Sequence, residues 1–255
     1  MEVHHHPEVE HKGFKEYLLE GLMIFLAVMM GFIAENLREN ITEHHKAKDY
    51  AEAMVGDLSS DLVQLQQYQT YYSFAEKNID TLMQLLTASD IKSIPSGKLY
   101  WYGLFGGAYN SYAPNDATFQ QMKSSGSLRY FNKSVAQEVA AYDQYCRSML
   151  SREENDRIIF AEVRKIRAQI FEFQYNREAN DLTHSPTFKN IDWKKIREFT
   201  KSNPPLLTTD KTIFNQYVEL VRSRFIEKKL TAIDTLFKRA NKLKADLKKE
   251  YHIDN

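Results

Sequence analysis

Histidines, one carboxylate in an apolar run and a band of aromatic rings are the side chains of this 255-residue chain whose types and spacing suggest chemistry. His4, His5 and His6, with His11 nearby, carry the imidazoles that zinc, nickel or copper prefer. Adjacent histidines in an extended tail face one ion poorly, and no cysteine or carboxylate is fixed beside them. A solvated tail is the expectation, and the four are weak candidates as ligands. His44 and His45 are consecutive, so on a helix they diverge by about 100° and do not chelate one metal together. No metal and no cofactor is expected.

Glu20 lies among apolar residues, and a carboxylate inside a membrane span marks proton or ion movement when several copies surround an axis. One turn from the boundary it more simply reaches the headgroups. Tyr100, Trp101, Tyr102 and Tyr109, interleaved with Gly103, Gly106 and Gly107, suit either a ligand pocket or an aromatic plug closing a bundle. Cys146, the single cysteine, excludes an internal disulfide and a cysteine zinc cluster, and is read as a buried thiol. The sequence contains no H-E-x-x-H, G-x-S-x-G, G-x-x-x-x-G-K-[ST] or G-x-G-x-x-G, so no enzymatic activity is expected.

The elements that position these groups begin with Leu22–Ala34, which has no charge in a chain that is 27% charged. A span needs roughly 20 helical residues. Residues 17–36 supply that length, with Glu20 and Glu35 near the ends and Tyr17 as an interfacial aromatic. Phe32 spoils the small-x-small pattern before Ala34, which favours an uncleaved anchor over a signal peptide. A soluble amphipathic helix would show a polar stripe, and residues 21–34 have none. Ala27 and Gly31, with Ala34, form a small-residue face for association in the bilayer. Residues 1–16 then form a short cytoplasmic tail and 37–255 a helical body outside the cytoplasm.

Beyond the span, Leu58, Leu65, Tyr72, Ile79 and Leu86 recur every seven residues, with Leu62, Tyr68, Ala75, Leu82 and Met83 on the same stripe. Unbroken from Asn36 to Leu86, such a stalk would reach about 75 Å. Gly56 is a candidate bend. Asp116 and Gly126 bracket a short helix. Ser134 with Gln137 opens a second long helix to Glu178. A loop follows over Asn180–Asn190, then a short helix at Trp193–Phe199, Asn203-Pro204-Pro205, and a last long helix from Asp210. Leu99–Tyr102 is ambiguous between strand and helix. With only nine Gly and six Pro, the fold class is all-α: an N-terminal transmembrane helix continuing into a long stalk, with an antiparallel helical bundle.

Residues 35–90 hold ten acids against four Lys/Arg, and residues 222–249 hold ten Lys/Arg against three acids. Within a chain of zero net charge the basic helix is expected to find acidic partners internally, and no nucleic acid is expected.

MEVHHH, then EYLLEGLMIFLAVMMGFIAENLRE, then Met54-Val-Gly-Asp-Leu-Ser-Ser-Asp-Leu62, resemble a large uncharacterised family of single-span bacterial envelope proteins. NDATFQQMKSSGSLRYFNKSVAQEVAAYDQYC is similar to that family's second recurring stretch. Thr118, Ser125, Gly126 and Leu128 match it, with Met122 where Leu is usual, a swap that conserves volume. The resemblance covers the first 150 residues or so, implies an inner-membrane anchor with a periplasmic helical body, and brings no activity. The expected function is therefore a non-enzymatic, membrane-anchored structural or interaction protein. Its partners would be the lipid bilayer and further copies of itself or a membrane complex, acting through the anchor face and the heptad stalk. The rival readings are an ion-coupled component using Glu20 and a ligand-sensing receptor using the aromatic band.

Overall fold

The computed structural model of the chain describes residues 13–183, 191–227 and 230–254. They form two compact units, one up to Asp49 and one from Tyr50. Helix α1, Phe14–Ala88, contributes to both. In the first unit, the apolar side chains from Phe14 to Ile41 are exposed all round the helix, among them Phe25, Met30 and Ile33. Among the described residues, α1 is the one helix long and apolar enough to cross a membrane, and none of its apolar window is buried within the chain.

From Tyr50 onward the same helix buries a single stripe. Ala51, Met54, Leu58, Asp61, Leu65, Tyr68, Tyr72, Ala75, Ile79 and Leu82 alternate by three and four residues, and all are covered. The sevenfold period of the sequence is thus spent inside the second unit. Gly56 lies mid-helix in open space and does not interrupt α1.

The remaining elements are α2 (Ser96–Leu104), α3 (Ala117–Ser125), α4 (Lys133–Ile170), α5 (Phe173–Asp181), α6 (Trp193–Lys201), α7 (Lys211–Glu227) and α8 (Leu230–Tyr251). Leu99–Tyr102 is helical. Asn132 meets Glu250, Glu138 meets Lys242 and Asp156 meets Arg224, so α8 and α7 lie antiparallel along α4. Asp61 meets Tyr142 and Tyr68 meets Glu153, which sets α4 in the same sense as α1. The segment between them makes this possible by returning the chain to the Asp57 level of α1, where Thr118 N–H donates to Asp57 at 3.0 Å.

Local chemistry explains most boundaries. Gly126 ends α3 at φ 71°, the left-handed conformation a glycine adopts without penalty. Asp116 sits at the start of α3 as its spacing predicts, but its carboxylate accepts from Gln120 Nε2 rather than from a backbone N–H. The cap of α4 is Asn132, whose Oδ1 accepts from Val135 N at 2.8 Å, and not Ser134 two residues later. The helix expected to run to Glu178 breaks at Phe171. There the backbone turns extended and pairs with Leu206, while the ring is buried against Tyr100, Phe214 and Tyr217. No glycine or proline marks this break; tertiary packing of one aromatic ring makes it. The expected single last helix is α7 and α8, with residues 228–229 outside the description.

Helix α2 lies at the centre. Its Ser96 hydroxyl and Tyr100 hydroxyl donate to the carbonyls of Pro204 and Pro205 at 2.5 and 2.6 Å, which latches the Asn203-Pro204-Pro205 turn onto it. Gly97 permits the contact with α6, because a Cβ there would fall 2.0 Å from the Phe199 carbonyl oxygen. Gly97→Ala is therefore expected to destabilise the second unit by about 1–3 kcal/mol, as overpacking against backbone does. Gly56→Ala, in open helix, should stabilise by about 0.5–1 kcal/mol. Denaturant unfolding followed by circular dichroism distinguishes the two signs.

Candidate functional site

The buried stripe of α1 is interrupted by one carboxylate. Asp61 is 1% exposed; its Oδ1 accepts from Asn115 N at 2.7 Å and its Oδ2 from the Tyr142 hydroxyl at 2.7 Å. Burial pushes the Asp61 carboxyl above its ordinary value, with the Asn115 and Tyr142 hydrogen bonds opposing. Beside it, Tyr112 Oη and Cys146 Sγ lie 3.9 Å apart, and burial pushes the Cys146 thiol up to about 11. A thiol so protonated is a poor nucleophile near neutrality. Two turns further along, the Tyr68 hydroxyl donates to Glu153 at 2.5 Å.

Deeper in the unit, Asp156 and Arg224 form an ion pair in which both side chains are 2% exposed or less. Arg224 Nε and Nη2 reach the two carboxylate oxygens at 2.7 and 3.0 Å. Its Nη1 donates to the Gly106 carbonyl at 2.6 Å and Nη2 also to the Ala108 carbonyl at 3.0 Å. The Phe160 ring lies over the guanidinium, 4.5 Å from its centroid. One cation thus joins α4, α7 and the turn Phe105–Gly107 that follows α2.

A second arginine on α4 is held differently. Arg167 Nη2 donates to the Asn176 side-chain oxygen at 2.5 Å, and Arg167 Nε is the one buried side-chain nitrogen or oxygen without a hydrogen-bond partner among the described residues. No described carboxylate ion-pairs with it. Burial lowers its pKa from the ordinary value and Arg164 adds to that, while Tyr217 opposes. Tyr217 is itself pushed up to about 12 by burial, so it stays a neutral phenol at physiological pH and supplies no counter-charge. Gly107 abuts the guanidinium: a Cβ there would stand 2.1 Å from Arg167 Nη1. A cavity of about 90 Å³ has walls that include Tyr71, Gly107, Arg167, Asn180 and Thr183. A groove of about 400 Å³ is also lined by Arg167, with Arg164, Phe171, Glu172 and Phe173. A third depression, about 670 Å³, lies between Tyr175, Glu178, Asp192 and Lys195.

The sequence candidates are distributed elsewhere. Glu20, Ala27, Gly31 and Ala34 are all exposed on α1, with open space around Gly31. Tyr100 and Trp101 are buried, Tyr100 against Phe171 and Trp101 edge-on to Phe105, while Tyr109 is 37% exposed and stacked on Phe160. Tyr100, Trp101, Tyr102 and Tyr109 do not share one face, and none lines the three cavities just described. His4, His5, His6 and His11 lie outside the described residues, as does Ser185-Pro186. Among the described residues no cluster of three or more His, Cys, Asp or Glu could hold a metal.

The groups that sequence reasoning missed are Asp61, Asp156, Arg224 and Arg167. Two carried a signal: Asp61 occupies a stripe position between Leu58 and Leu65, and Asp156 falls seven residues after Met149 and seven before Val163. A charge at an apolar position of a heptad implies a buried partner. Arg167 has no such mark, since the cavity around it is built from residues distant in sequence.

Removing one member of the buried pair strands the other, so Arg224→Met is expected to cost about 3–5 kcal/mol, whereas adding Asp156→Leu should restore much of it. A double-mutant cycle by denaturant unfolding reads this coupling. For Asp61 the sign follows from its raised pKa: the folded state holds the proton more tightly than the unfolded chain. That contribution is complete below the ordinary value of 3.8 and is lost as pH rises through the folded value. Asp61→Asn keeps an acceptor for Asn115 without the charge, so its stability relative to the parent should rise with pH; a pH-independent difference would contradict this. Compared with known proteins, the chain matches no family model, no curated protein and no solved structure.

Proposed function

We propose that this is a non-enzymatic, membrane-anchored structural or interaction protein of the bacterial envelope. Residues 17–36 lie in the inner membrane, a short tail precedes them in the cytoplasm, and the helical body works on the periplasmic side. The observation that carries the reading is the change along α1: its apolar side chains from Phe14 to Ile41 are exposed all round, whereas from Tyr50 onward a single stripe is buried. Apolar surface of that extent is not left in water by a soluble monomer. The resemblance of EYLLEGLMIFLAVMMGFIAENLRE to single-span envelope proteins supports the same placement.

Because Leu58, Leu65, Tyr72 and Ile79 are already covered within the chain, they have no face left to offer a partner. Association with further copies or with a membrane complex is accordingly assigned to Ala27, Gly31 and Ala34, where small residues let helices approach closely in lipid. The full chain is expected to remain in the membrane fraction through alkaline carbonate and to require detergent for release; recovery in the soluble fraction would refute the anchor. Gly31→Leu should weaken self-association in detergent at least tenfold, by analytical ultracentrifugation, while leaving membrane retention unchanged.

A further inference from the structure

We infer that α1 pairs with α1 of a second copy of this chain, parallel and in register, along a seam that continues out of the membrane as far as Ile41. The inference rests on the anchor and the self-association proposed above; it adds the partner, the register and a stretch of seam outside lipid. All of it lies in the first unit. Residues 17–36 already extend about 30 Å, the thickness of the hydrocarbon, so Leu37 and Ile41 lie beyond the lipid tails. They are nonetheless 59% and 51% exposed, one turn apart on an unbroken helix. Two large aliphatic side chains on one line of a helix surface gain by being covered.

Their places in the sequence identify the cover. Met23, Met30 and Leu37 are spaced by seven, and so are Ala27, Ala34 and Ile41. The second series follows the first by four residues, which makes the two the d and a positions of one heptad stripe. Over residues 23–41 it runs about 27 Å, and every member is exposed. Polar His44 and Lys48 occupy the next d and a positions and end it. Ile at a with Leu at d is the combination that favours two parallel strands. The charges agree with this register. Glu35, Glu39 and Glu43 fall at b, f and c, on the outer side, so no acid of one copy faces its counterpart. Arg38, at the flanking e position, is tied to Glu35 by an ion pair at 2.5 Å. Gly31 is also at e, where a missing side chain lets two helices close in lipid. A second copy carries this stripe at the same height and in the same direction, because it enters the bilayer by the same segment.

The test uses the full chain in the membranes of the expressing cells, oxidised with copper phenanthroline and run on non-reducing gels. The native Cys146 is buried and stays in place, so each variant adds one accessible thiol. Leu37→Cys and Ile41→Cys are expected to give at least fivefold more disulfide-linked dimer than Glu39→Cys and Glu43→Cys. Equal yields at the four positions, as random collision would produce, overturn the seam, and so does the absence of dimer at 37 and 41. In detergent, Leu37→Glu combined with Ile41→Glu should weaken self-association at least tenfold by analytical ultracentrifugation; parental association overturns the seam as well. A parent chain that sediments as a monomer refutes self-association altogether. One that associates and responds to Gly31→Leu, yet gives no linked dimer at 37 and 41, refutes the seam and leaves association within lipid standing.

Discussion

The second unit depends on one guanidinium. Arg224 is almost fully buried, and its hydrogen bonds go to Asp156 on α4 and to the carbonyls of Gly106 and Ala108. A buried ion pair is weak support for net stability, because desolvating two charges offsets most of their attraction. What it supplies is register. The α4–α7 interface is otherwise a seam of interchangeable apolar residues, among them Val163, Ile170, Phe214, Tyr217 and Val221. Sliding α7 by one turn would keep such a seam greasy but leave Asp156 facing hydrocarbon. The same cation holds the Phe105–Gly107 turn, so the register of two long helices and the position of the α2 exit are set together. Asp61 does the equivalent for α1, fixing Tyr142 of α4 and the Asn115 backbone against it.

Helix α1 shows what one secondary structure does when its two halves meet different surroundings. The helix is continuous through Asp49, and the side-chain pattern changes along it. Where no polar stripe exists, no aqueous packing arrangement hides the helix. Where the apolar residues narrow to alternating spacings of three and four, burial against a few neighbours suffices. The helix therefore needs no break to pass from one regime to the other, and Gly56, the candidate bend, is simply accommodated.

This periodicity is why so much of the fold was legible. The apolar run, the sevenfold stripe, the proline–asparagine turn at 203–205 and the glycine stop at 126 are local signals with local causes. What was not legible arises from contacts between distant residues. Phe171 breaks a helix that FEFQYNRE would continue, because its ring is better buried against Tyr100 and Phe214 than the helix is by one more turn. Asn132 outcompetes Ser134 as the cap of α4, a difference of two residues that spacing rules do not resolve. The aromatic band raised a choice between pocket and plug. Tyr100 and Trp101 pack into the core while Tyr109 lies on the surface, a division that depends on α5 and α6 packing on α2 and not on the spacing of the band itself.

Arg224 and Arg167 make the sharper contrast. Arg224 satisfies the physical requirement for burying a cation: an opposite charge, saturated donors and an aromatic face. Arg167 is half-buried: its Nη2 donates to the Asn176 side-chain oxygen, its Nε is covered without a hydrogen-bond acceptor, and no described carboxylate ion-pairs with it. The Tyr68 hydroxyl, by contrast, donates to the Glu153 carboxylate, and Glu20 stands on an exposed helix surface.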